Sequence, residues 1–153
     1  NACCFAYGAT GSGKTYTMTG STNAPGIIPL TVDALFATIN DAHEVHMTYI
    51  EIYNEQIKDL LAPGAVPNID VREDPRKGTF VAGATSSQVT SRSDIEMKLQ
   101  QGNMHRTTMA TNCNEVSSRS HAVLQLRLEA QRKPHSSPSR QHALKAVSER
   151  TAG

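Results

Sequence analysis

Apolar residues in this chain fall into short runs whose period changes from one stretch to the next. "ACCFAY" (2–7) is continuous and ends at Gly8, which predicts a buried parallel strand. A short helix is expected from Lys14 to about Thr19, followed by a turn-rich stretch, "GSTNAPG" (20–26). Pro29 suits a helix first turn, and Val32, Leu35, Phe36 and Ile39 follow at spacings of three and four, so a second helix is expected there. "EVHMTYIEIY" (44–53) is rich in β-branched and aromatic residues and reads as a central strand. "NEQIKDLL" (54–61) then reads as a short helix stopped by Pro63 and Gly64.

Beyond residue 64 the period changes again. Residues 65–85 suggest a small β excursion, with "IDV" and "TFVAG" on either side of "REDPRKG". Ser93 and Glu96 have capping-box spacing ahead of Ile95, Leu99 and Met104, which predicts a helix over about 93–108. "TNCNEVSSRSH" (111–121) has no apolar period and reads as a loop. In "AVLQLRLEA" (122–130) Leu124, Leu126 and Leu128 alternate with polar residues, the pattern of a strand with one wet face. After Gln131 the pattern stops, and Ser, Pro and basic residues take over. Residues 1–131 are therefore expected to form one domain and 132–153 a disordered basic tail. Strands alternating with helices predict an α/β layered domain with a central, mostly parallel sheet flanked by helices.

Composition narrows this picture. A chain of 153 residues can bury a real core, and its net charge of +1 gives no global case for nucleic acid. No apolar run approaches the roughly 20 residues that cross a bilayer, so no membrane partner is expected. The adjacent Cys3 and Cys4, with Cys113, do not suggest a disulfide framework and read as reduced core thiols of a cytosolic protein. The chain lacks an initiating Met and enters its first strand midway, so it reads as a piece of something longer.

"GATGSGKT" (8–15) fits G-x-x-x-x-G-K-[ST] completely, after an apolar run and before a helix. Gly8, Gly11 and Gly13 let the backbone wrap a phosphate, with Ala9, Thr10 and Ser12 between them. Lys14 supplies a point charge for the β- and γ-phosphates, and Thr15 a hydroxyl for Mg²⁺. The competing reading is a Gly/Ser turn that meets the pattern by chance. In "NEVSSRSH" (114–121), Ser117 and Ser118 can reach Mg²⁺ or γ-phosphate oxygens, and Arg119 can neutralise charge or latch a second loop. Taken alone, that segment is also an ordinary polar loop.

With these residues in place, the chain resembles the kinesin motor domain. "FAYGATGSGKTYTM", "PGIIPLTVDALF", "YIEIYNEQIKDLL", "VREDPRKGTFVAG" and "NEVSSRSHAVLQL" follow in that family's order over about residues 1–130. "REDPRKG" and "SSRSHAVLQL" are most similar to its kinesin-8 branch. The resemblance implies a partial motor core of P-loop NTPase type, with ATP and Mg²⁺ as cofactors. It implies a parent that couples ATP hydrolysis to movement on microtubules, in the cytoplasm and on the cytoskeleton. It places Tyr16 against adenine and makes Asn114, Ser117, Ser118 and Arg119 a first switch, with Thr15 and Ser118 on the metal. Arg76 and Lys77 fall in a loop the family sets against tubulin, although an exposed charged turn explains them equally. Glu51 and Tyr53 read as scaffold, and Cys113 and His121 as structural.

The chain also departs from the family. The second switch, Asp-Leu-Ala-Gly-Ser-Glu, has no match, and "AVSERTAG" (146–153) echoes only Ser-Glu-Arg. A non-catalytic nucleotide-binding fragment or splice product therefore stands as the alternative. An unrelated P-loop enzyme is a third reading, weakened by the ordered motifs. Oligomeric state cannot be read from the sequence.

Overall fold

The computed structural model describes residues 2–64, 69–75, 78–110 and 120–131. Its centre is β3 (His43–Tyr53), an 11-residue strand on which burial alternates as far as Tyr49, after which Ile50 on the opposite face is buried too. Val45, Met47, Tyr49 and Glu51 are buried on one face, as a period of two requires. β8 (Ser120–Ala130) pairs with all of β3, from His43↔Ala130 to Tyr53↔Ser120. Two shorter strands share the other edge. β7 (Ser87–Val89) lies against the first half of β3, and β4 (Gln56–Asp59) against the second.

Two helices cover the buried face. α2 (Ile27–Thr38) contributes Val32, and α3 (Arg92–Ala110) contributes Ile95; both join Val45, Met47, Tyr49, Leu60 and Val89 in one core cluster. Close approach of α3 to the sheet depends on Gly102. A Cβ there would sit 2.5 Å from Cδ1 of Tyr49, well inside van der Waals contact. The same turn is fixed by Tyr49, whose hydroxyl donates to Asn103 Oδ1 at 2.7 Å, and by His105 Nδ1, which donates to the Leu60 carbonyl at 2.9 Å. Burial raises the Tyr49 phenol above its ordinary pKa; the Arg106 charge opposes that shift and the Glu51 charge adds to it. At the other end of α3, Arg92 reaches both carboxylate oxygens of Asp33 on α2 at 2.6 Å.

Before this core lies α1 (Lys14–Thr19), joined to α2 through the small hairpin of β1 (Gly20–Ser21) and β2 (Ala24–Pro25). A second hairpin, β5 (Asp70–Asp74) with β6 (Gly78–Ala82), forms its own two-stranded sheet. The predicted α1, α2, β3, β excursion, α3 and β8 are all present.

Four expectations change. Every strand pair among the described residues is antiparallel, so the layered core holds its helices against an antiparallel sheet here. Residues 2–7 are not in a ladder; Phe5 is 80% and Tyr7 95% exposed, and Cys3 and Cys4 are exposed rather than core thiols. An apolar run becomes a buried strand only where neighbours take its backbone groups, and none of the described strands does so. Residues 54–61 form a hairpin arm in place of a helix: Asn54 and Glu55 both take positive φ (47° and 63°), the tight two-residue turn that folds β4 back on β3. The α3 cap also moves. Asp94 N–H donates to Ser91 Oγ at 3.2 Å, and Asp94 Oδ2 accepts from Thr90 N–H and Oγ1–H at 2.9 and 2.8 Å. Ser91 with Asp94 therefore plays the part expected of Ser93 with Glu96.

Candidate functional site

The phosphate-binding motif is a short-range structure. Ser12 N–H donates to the Ala9 carbonyl at 3.1 Å, which closes a turn over 9–12, and Thr17 N–H donates to the Gly13 carbonyl at 2.8 Å, which starts α1. Gly11 and Gly13 hold φ of 83° and 87°, the left-handed region that side chains with a Cβ resist. A Cβ at either would meet nothing within 4 Å, so backbone conformation, rather than crowding, demands glycine at both. Lys14 curls back across the loop, its Nζ donating to the carbonyls of Gly8 and Ala9 at 2.9 and 2.8 Å.

This arrangement suits a phosphate. The loop is solvent-exposed and open beside its glycines, with an ammonium held over it by weakly competing neutral acceptors. Thr10, Ser12 and Thr15 add exposed hydroxyls, and Tyr16 leaves its ring 59% exposed on the first turn of α1. A separate apolar groove of about 960 Å³, lined by Ile28, Val32, Ile95, Leu99 and Met104, runs between α2 and α3 and includes none of these residues.

Asn114, Ser117, Ser118 and Arg119 lie outside the described residues, as do Arg76, Lys77 and Cys113. The described chain resumes at Ser120, and His121 follows it on β8 as an exposed strand residue.

Sequence reasoning missed a second polar centre. Glu51 has a side chain only 3% exposed, and it is held by Arg106 Nε at 3.1 Å and by a short hydrogen bond from the Ser120 hydroxyl. Arg106 Nη2 donates further to Ser120 Oγ at 2.9 Å and to the Ser120 carbonyl at 3.3 Å. The signal was present in "YIEIY": a carboxylate flanked by isoleucines in a buried strand requires a partner. Which partner was not legible, since Arg106 lies 55 residues away.

The kinesin motor domain family model matches residues 1–149. The chain belongs to the kinesin motor domain family. Kinesin-like protein KIN-8A of Arabidopsis thaliana is 47% identical over 134 residues, 84% of this chain and 18% of that protein. Human kinesin-like protein KIF13B is also 47% identical, across 84% of this chain and 7% of its own length. Equal identities do not single out the kinesin-8 branch. Among solved motors, a fast kinesin aligns with a TM-score of 0.73 at 36% identity, covering 81% of this chain and 37% of its own. KIF14, with ADP and in complex with a microtubule, aligns with a TM-score of 0.66 at 42% identity and the same coverage. These likenesses establish the P-loop NTPase fold of the kinesin motor for this partial core. The chain thus spans well under half of the motors it matches. The family match runs past residue 131, where the sequence pattern had placed a boundary, and residues 132–153 lie outside the described residues.

Proposed function

We propose that this chain carries the nucleotide-binding part of a kinesin-like motor whose parent couples ATP hydrolysis to movement along microtubules. The observation that carries this reading is the loop itself: left-handed Gly11 and Gly13 beneath a Lys14 folded across neutral carbonyls. Bound phosphate would replace those carbonyls with charged oxygens, a stronger partner for the ammonium.

In this reading Gly8, Ala9, Thr10, Gly11, Ser12 and Gly13 surround the phosphates, Lys14 spans the β- and γ-groups, and Tyr16 stacks on adenine. Thr15 and Ser118 would hold Mg²⁺, which would supply positive charge beside the phosphates. Asn114, Ser117, Ser118 and Arg119 respond to the γ-phosphate. Residues 132–153 form a tail that adds nothing to the phosphate site. Tubulin is the partner, with Arg76 and Lys77 as one contact, and the cytoskeleton is the place of action. The solved KIF14 complexes with microtubules support that partner through family likeness.

Titration calorimetry with Mg·ADP and Mg·ATP tests the core of this. Lys14→Ala should weaken binding by about tenfold or more, the loss of one charge-assisted phosphate contact of about 1.5–3 kcal/mol. Equal affinity of wild type and variant would overturn the assignment.

A further inference from the structure

β8 is bonded on one side only. It pairs with β3 along its whole length, Ser120–Ala130, and no other described strand lies on its second edge. An open edge of that length is a template for another strand, and proteins blunt such edges with a proline, a lysine, a bulge or a short strand. β8 has none of these. It contains neither Pro nor Lys, and its register with β3 runs unbroken from His43↔Ala130 to Tyr53↔Ser120. Its two permanent charges, Arg127 and Glu129, bond to each other at 2.9 Å and so cancel locally. Val123 and Leu128 lie exposed, one on each face of the strand.

We propose that two copies of this chain join edge to edge through β8, antiparallel about a two-fold axis at Gln125. The strand's own sequence selects that register. Gln125 is the midpoint of Ser120–Ala130, so an axis there alone overlaps the whole strand. It sets His121 of each copy opposite Glu129 of the other, Val123 opposite the aliphatic stem of Arg127, and Gln125 opposite itself. On the other face Leu124 meets Leu126, and Ala122 meets Leu128. An axis at Leu124 would instead set His121 against Arg127, and one at Leu126 would leave Glu129 against Val123. A second β8 also fits this edge better than the exposed apolar run 2–7 of another molecule. That run is much shorter than β8, and a head-to-tail contact of that kind does not close, whereas a two-fold contact does.

Sedimentation equilibrium on the full chain, across a wide range of concentration, tests this without reference to nucleotide. The wild type should show a reversible monomer–dimer equilibrium. Gln125 is exposed and lies opposite Thr48 of β3, so a charge placed there disturbs no ion pair of the fold. Gln125→Lys sets two like charges on the axis and should weaken dimerisation about tenfold or more, and Gln125→Glu should do the same. An equimolar mixture of the two variants should recover the dimer, because opposite charges then meet at the axis. A wild type that stays monomeric overturns the proposal, whatever else covers β8. So does a dimer indifferent to Gln125→Lys, or a pair of weakened variants that fail to restore each other. Growth beyond the dimer would mean a head-to-tail contact, such as residues 2–7 laid on β8, and overturns it too.

Discussion

Lys14 and Arg106 each donate to backbone carbonyls, in contrasting surroundings. Lys14 reaches back five and six residues to the exposed carbonyls of Ala9 and Gly8. Arg106 reaches 14 residues to Ser120 and 55 to Glu51, at the edge of the core. Water can replace every partner of Lys14, so its contacts are held weakly and can be exchanged for a ligand. Glu51 is nearly sealed from water, so the contacts of Arg106 hold structure and are costly to break. A loop open to solvent can exchange its own backbone contacts for those of a ligand; a buried ion pair holds the fold together.

The sharpest way to break this comparison is to remove each cation and measure stability by urea unfolding. Arg106→Ala strands the buried Glu51 carboxylate and should cost about 3 kcal/mol or more, whereas Lys14→Ala should stay within about 0.5 kcal/mol of wild type. Equal costs would mean that the two sites do not differ in kind. Binding should show the reverse pattern, with the Lys14 variant losing nucleotide affinity and the charge-neutral double variant Glu51→Gln with Arg106→Gln retaining affinity for Mg·ADP.

A smaller effect isolates the docking of α3 at Gly102 from the contacts of Arg106. Gly102→Ala gains about 1 kcal/mol of helix propensity but drives a methyl into the Tyr49 ring, for which overpacking costs about 1–3 kcal/mol. A net loss of up to about 2 kcal/mol is expected, read as a lower unfolding midpoint. A stabilised variant would show that α3 has room to move away from β3.

The smallest effect is expected at the start of α3, where an exposed carboxylate acts as part of the cap. Hydrogen bonds from the Thr90 backbone and hydroxyl hold the Asp94 carboxyl below its ordinary pKa, against a weaker opposing effect of burial. The folded state therefore favours the ionised form. Its contribution is complete above the unfolded pKa and fades as pH falls through the lowered folded value. Melting temperatures followed from about pH 5 towards pH 3 should fall slightly more for wild type than for Asp94→Asn. Parallel curves would remove Asp94 from the cap.

Local order was written in the sequence itself. The phosphate loop, α1, α2, β3, the β5–β6 excursion, α3 and β8 follow from glycine placement and from periods of two or 3.6, which act over a few residues. The tertiary structure alone decided what each element meets. "QIKDLL" satisfies a helical spacing, yet Asn54 and Glu55 turn it onto β3, because pairing with a buried strand satisfies backbone groups that a lone short helix would leave open. The apolar run at 2–7 predicted burial but has no ladder partner among the described strands. Glu51 could be seen to need a partner, but Arg106 and Ser120 could not be named, because chain distances of 55 and 69 residues close only when α3 and β8 come to the same end of β3. Sequence specifies a site directly when its atoms lie within one turn of backbone; a site whose partners converge from distant segments exists only once the chain has folded.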